Sequence, residues 1–186
     1  NYDGGGMVNS TSSPMLENCT FSGNYASRLG GGMYNNNSST TLTNCTFEGN
    51  LVGYGGGGMC NEFSSSLTLT GCTFENNFAN STGGGMSNYS DSNPDFYTCT
   101  FTANTANYDG GGISSYESSA TLTNTTVCAN TPVQIFGDWT DNGGNTVAEE
   151  CPSDCPDING DGYVNVNDIL ILIGYWGSTN SSADVN

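Results

Sequence analysis

Apolar residues in this chain fall in short clusters that recur every 26 or 27 residues, and the clusters lack the 3.6-residue period of an amphipathic helix. Runs such as "TLTNCTF" alternate polar and apolar positions and are rich in Thr, a pattern that predicts strands. Leu42 and Cys45 are three apart, so plain alternation would send them to opposite faces of a sheet. A bend at Asn44 turns both inward, with Phe47 following on the same side. That bend position holds Asn18, Asn44, Gly71, Thr98 and Asn124. Asn and Gly tolerate a left-handed backbone, so all of these but Thr98 suit a tight corner.

Two motifs keep a fixed phase along the chain. Gly triplets end at Met7, Met33, Met59, Met86 and Ile113, at spacings of 26, 26, 27 and 27. After each comes a second element: "NCTFSGN", "NCTFEGN", "GCTFENN", "TCTFTAN" and "NTTVCAN", ending at Asn24, Asn50, Asn77, Asn104 and Asn130. A unit of this length cannot bury an apolar face alone, so neighbouring units must stack. The prediction is an all-β parallel β-helix of about five coils, spaced about 4.8 Å apart, the separation of paired strands. Leu16, Leu42, Leu69, Phe96 and Leu122 would form one internal ladder, and Phe21, Phe47, Phe74, Phe101 and Val127 another. The asparagines that end each motif would stack at a turn. The predicted organisation is coils over 1–131, a capping or linking segment over 132–156 and a small module over 157–186. The chain opens "NYDGGGM" and closes "ADVN", both inside motifs, so a fragment of a longer repeat protein is expected.

The pairing of "GGGM" or "GGGI" with "FxxN" resembles the repeats of polymorphic outer-membrane proteins and related secreted β-helix proteins of the pectin-lyase-like superfamily. The resemblance covers about residues 1–130 and implies a right-handed β-helix at a cell surface. It implies no activity by itself.

Charge narrows the partners. The chain has 186 residues with 18 Asp plus Glu, one Lys or Arg (Arg28), no His, and a formal net charge of -17. It offers one cationic side chain against 18 acidic ones, which argues against nucleic acid and acidic membranes as partners. Such charge with modest hydrophobicity would suggest disorder, but ten Tyr, eight Phe and the strict period argue for a packed fold. No run is long enough to cross a membrane.

Of the eight Cys, Cys19, Cys45, Cys72 and Cys99 share one repeat position. Side-by-side Cys on parallel strands rarely have bridging geometry, so buried thiols acting as small hydrophobes are expected. Cys128 and Cys151 bracket a terminal segment that a disulfide would staple, whereas Cys60 and Cys155 have no evident partner. Without His or a paired CxxC spacing, no zinc site is expected.

From Asp157 the chain reads "DINGDGYVNVND". Asp157, Asn159 and Asp161 take positions 1, 3 and 5 of a Ca²⁺ loop, Gly162 makes the turn, and Tyr163 offers its carbonyl. Asn165 follows at position 9, directly or through water, and Asp168 at position 12. Asp at position 12 followed by "ILILIGYWG" is similar to one half of a dockerin, a module that docks onto a cohesin; the resemblance spans 157–186. Val166 and Asn167 stand where many dockerins carry a hydroxyl pair, which weakens that carry-over. Ile169, Leu170, Leu172, Ile173 and Trp176 need a covering surface, either the last coil or a partner.

Nine Asn lie in N-x-S/T sequons. Asn18, Asn44 and Asn124 are already explained as corners, and Asn9, Asn36, Asn37, Asn80 and Asn88 are the better glycan acceptors. Catalysis is not expected. A lyase needs a cationic group and the chain has only Arg28, while a hydrolase needs clustered carboxylates. Glu48 and Glu75 share a position that reads as a solvated strip. The expectation is an extracellular, Ca²⁺-stabilised rod that self-associates end to end into a fibre. The alternative is a monomeric adhesin or carbohydrate-binding β-helix with a dockerin-type attachment. Tyr2, Tyr54 and Tyr108 share a repeat position at which sugars could stack, but exposed Tyr at turns ordinarily does no such thing, and that role is not expected of them.

Overall fold

The structure, a computed structural model, describes residues 2–152. One coil shows how the repeat folds. Its strands are Met33–Asn36, Thr41–Thr43, Thr46–Glu48 and Leu51–Val52. Each pairs in parallel with its equivalent one repeat away: Met33 with Met7 and Met59, Leu42 with Leu16 and Leu69, Phe47 with Phe21 and Phe74, Val52 with Ala26 and Ala79. Because register equals repeat phase, the predicted all-β parallel β-helix stands, with about five coils.

The corners follow from backbone chemistry. All five residues at the predicted bend have positive φ, including Thr98 at 52° against Asn44 at 51° and Gly71 at 62°. The bend turns Leu42, Cys45 and Phe47 inward, each at most 1% exposed. A second left-handed corner precedes each stacked asparagine, at Gly23, Gly49, Asn76, Ala103 and Ala129.

Inside, equivalent side chains stack as translated copies. Ring centroids of Phe21, Phe47, Phe74 and Phe101 are 4.8, 4.6 and 4.5 Å apart and within 5° of parallel. Beside them runs an amide ladder: Asn24, Asn50, Asn77 and Asn104 each donate Nδ2–H to the Oδ1 of the next asparagine at 2.9 Å, ending at Asn130. A second ladder links Asn9, Asn35, Asn61 and Asn88 at 2.8 to 2.9 Å. Buried amides need partners, and here each is satisfied chiefly by its neighbour along the axis, with a few bonds inside one coil, such as the Thr40 hydroxyl donating to Asn35 Oδ1 at 3.0 Å.

The Gly triplets have two jobs. The first glycine has positive φ in every coil, as at Gly30 (64°) and Gly56 (73°). The second and third lie against the next coil: a Cβ on Gly57 would overlap the Gly84 carbonyl, and one on Gly58 would lie 2.6 Å from the Gly85 carbonyl oxygen.

After the fifth coil the repeat motif ends but the stacking continues. Gln134 takes over the amide ladder, its Oε1 accepting from the Asn130 backbone N–H at 3.0 Å and Nδ2 at 2.9 Å. Strand Ile135–Asp141 pairs along Ile113–Thr123, and Thr146–Ala148 pairs with Thr126–Cys128. A Cys128–Cys151 disulfide ties this segment down, as the spacing suggested. Cys45, Cys72 and Cys99 are buried free thiols, Cys19 is a half-exposed one, and Cys60 is buried and free. Burial pushes the Cys45 and Cys60 thiols up, so they act as small hydrophobes rather than nucleophiles.

Candidate functional site

The strands after the Gly triplets present two outward rows that matter. Val8, Tyr34, Cys60, Ser87 and Ser114 form one, and Ser10, Asn36, Glu62, Tyr89 and Tyr116 the other. Facing them is the row before each triplet. Asp3, Leu29, Gly55, Thr82 and Asp109 bridge coil to coil, and Tyr2, Arg28, Tyr54, Ser81 and Tyr108 stand just ahead of them. Leu29, Tyr34 and Cys60 pack between the rows with Tyr89 against them, making a floor outside the main core.

Two cavities lie along this trough. One, of about 380 Å³, is lined by Arg28, Leu29, Tyr54, Glu62, Tyr89 and Ser90. The other, of about 590 Å³, is lined by Tyr54, Ser81, Thr82, Tyr89, Tyr108, Asp109 and Tyr116. Tyr54 and Tyr89 line both, so the two form one groove along the coil axis. From Arg28 to Tyr108 is three strand spacings, about 14 Å. Tyr54 is 53% exposed and Tyr108 70%, while Tyr89 and Tyr116 are half-buried and stack with centroids 5.7 Å apart.

The polar groups are held in place. Tyr34 donates its hydroxyl to Glu62 Oε2 at 2.6 Å and accepts from Asn36 Nδ2 at 3.0 Å. Thr82 Oγ1 and the Tyr89 hydroxyl are 2.8 Å apart, and Tyr116 donates to Asp109 Oδ2 at 2.9 Å. Arg28 is bidentate to Asp3, with Nε and Nη2 donating at 2.9 and 2.8 Å, and its guanidinium lies 5.2 Å from the Tyr2 ring centre. Asp3 thereby neutralises the chain's one cationic side chain. The trough is thus rich in aromatic faces and hydroxyls, with carboxylates at Glu62 and Asp109.

Burial is the main cause that pushes Tyr34, Tyr89 and Tyr116 up to about 12. An unfolded chain would lose these protons near pH 10. The folded state therefore binds more protons between those values; stability is unimpaired below pH 10 and falls as pH rises towards 12. The expected result is a biphasic tyrosinate absorbance titration, its late phase coinciding with loss of the β signal in circular dichroism. A single phase complete near pH 10 with coils intact would contradict the packing described.

Other expected site residues are scattered. Asn36 is half-buried, and Asn37 and Asn80 are exposed, as glycan acceptors need to be. Asn9 and Asn88 require correction: they are 3% and 0% exposed, with Nδ2 engaged inside the second amide ladder. Their Asn-x-Ser/Thr spelling reflects a ladder position in a Ser/Thr-rich chain. Tyr54 and Tyr108 enter the groove, and Tyr2 sits beyond it over Arg28. The expected Ca²⁺ ligands Asp157, Asn159, Asp161, Tyr163, Asn165 and Asp168, and the docking residues Ile169, Leu170, Leu172, Ile173 and Trp176, lie outside the described residues. Tyr34, Tyr89, Tyr116 and Glu62 were missed. Tyr89 and Tyr116 each fall three residues after the Met or Ile that follows a Gly triplet, a shared phase of the kind that revealed the phenylalanine ladder.

In-phase parallel coils, internal ladders and a lateral groove define the class as a parallel β-helix protein. The family described as "Right handed beta helix region" matches residues 1–151, and the chain belongs to it. No curated protein and no solved structure matches the chain.

Proposed function

We propose that the protein is an extracellular β-helix that binds a glycan chain lengthwise in the tyrosine groove, without catalysis. The observation that carries this reading is the continuity of the two cavities through Tyr54 and Tyr89. Apolar faces of sugar rings stack on tyrosine, and Ser81, Thr82 and the tyrosine hydroxyls suit sugar hydroxyls. Binding without turnover fits the carboxylates, because Glu62 and Asp109 stand two coils apart and each already accepts a tyrosine hydroxyl. Asn36, Asn37 and Asn80 remain the sites for covalent glycans. The Ca²⁺ loop expected over Asp157–Asp168 and the apolar run after it provide attachment in this reading, to a cohesin-like or other surface partner.

The test is calorimetric titration of the full chain with soluble neutral oligosaccharides. Tyr54→Ala and Tyr108→Ala are each expected to weaken binding about tenfold or more, as loss of a central aromatic anchor does. Binding unchanged in both variants would remove the groove from the account.

End-to-end fibre assembly is the second reading. It draws on the stacking itself: each strand bonds its equivalent in the next coil in parallel and in register, a mode of pairing by which a strand of a second chain can extend a sheet. Electron microscopy with and without a chelator separates the two: Ca²⁺-dependent filaments favour the fibre, and discrete short rods in both conditions reject it.

A further inference from the structure

The charge of the groove restricts the glycan it takes. Around the larger cavity stand Tyr54, Tyr89, Tyr108 and Tyr116, with the Asp109 carboxylate among them. One oxygen of that carboxylate accepts the Tyr116 hydroxyl; this is a neutral partner and leaves the negative charge uncompensated. Arg28, the chain's one cation, is three coils away and paired with Asp3. Tyr89 and Tyr116 stack on each other, and Tyr116 also meets Phe136, so the exposed Tyr54 and Tyr108 supply the aromatic surface, whose negative charge density attracts a cation together with the carboxylate. A uronate in the same place would face Asp109 directly, within a chain whose net charge is -17.

We infer that this part of the groove selects a glycan bearing free amino groups, a hexosamine oligomer whose ammonium pairs with Asp109 in the cavity that Tyr54 and Tyr108 also line. The inference rests on the glycan-binding reading above and names its substrate class. A neutral glycan fits the stacking surfaces but leaves Asp109 without a counter-charge; an acidic one is repelled.

The experiment titrates the full chain, at physiological salt, with a fully deacetylated glucosamine tetramer, its N-acetylated counterpart and a galacturonate tetramer. The free-amine tetramer is expected to bind about tenfold tighter than the acetylated one, and the galacturonate weakest. Asp109→Asn should abolish the preference for the amine, bringing the free-amine and acetylated tetramers to similar affinity, with an unchanged β signal in circular dichroism showing that the variant is folded. Asp138→Asn, the same charge change on the exposed Ile135–Asp141 strand, should alter neither. Equal binding of the amine and acetylated tetramers, a preference that survives Asp109→Asn, or an equal effect from Asp138→Asn would each overturn the inference. Acetylated binding that depends on Tyr54 but shows no amine preference overturns the selectivity alone. Failure of all three sugars to bind overturns the glycan reading as well.

Discussion

Asn77→Ala lowers the unfolding free energy by roughly 3–9 kcal/mol, three buried polar groups each losing a partner at about 1–3 kcal/mol. Asn77 is 1% exposed, with both side-chain atoms fully used. Oδ1 accepts from the Asn50 backbone N–H at 3.0 Å and from Asn50 Nδ2 at 2.9 Å. Nδ2 donates to the Phe47 carbonyl at 2.8 Å and to Asn104 Oδ1 at 2.9 Å. Alanine leaves the Asn50 groups and the Phe47 carbonyl poorer by one bond each; Asn104 Oδ1 keeps the Asn77 backbone N–H at 3.0 Å. Domains are stable by only about 5–15 kcal/mol, and in a solenoid the loss falls on the contact between two neighbouring coils. Urea unfolding followed by circular dichroism is the check, and a loss under about 1 kcal/mol would show that the ladder is not an energetic spine.

The second large effect is steric. Gly57→Ala places a methyl group into the carbonyl of Gly84 and the backbone of Phe78, neither of which can swing away as a side-chain tip can. Since neighbouring coils are bonded through the Gly57 N–H to Gly83, relief requires parting them. The expected cost is roughly 3 kcal/mol or more, at the upper end for overpacking. Gly49→Ala provides the contrast: it has φ of 60° but nothing within 4 Å of the added carbon. There the cost is confined to left-handed backbone strain, about 1–2 kcal/mol. Thermal and denaturant melts should rank Gly57→Ala well below Gly49→Ala. The opposite order would mean that the triplets serve turn conformation alone.

These two sites also show what was legible in the chain. A solenoid turns sequence phase into spatial register, so the Leu, Phe and Asn ladders follow from spacing, and the corner at Asn44 follows from one mismatch in alternation. Thr98 and the corners at Ala103 and Ala129 were opaque, because coils bonded above and below impose a left-handed backbone that these side chains do not favour. The Asn9–Asn88 ladder was hidden by sequons, which in a chain rich in Asn, Ser and Thr mark composition as readily as acceptors. The groove was half legible. Tyr54 and Tyr108 stood in phase, but Glu62 lies beside Tyr34 only because Glu62 and Asn36 occupy one ladder position in adjacent coils. Asp109 meets Tyr116 across the trough, a pairing of different rows that no single repeat position reveals.

The most direct test of the central claim is the affinity of the full chain for one oligosaccharide series as its length increases. A chain lying along the coil axis predicts that affinity rises with each added sugar until the groove's length, about 14 Å, is filled, and is level beyond it. Affinity that is absent, or independent of length from the monosaccharide upward, would contradict a lengthwise glycan site.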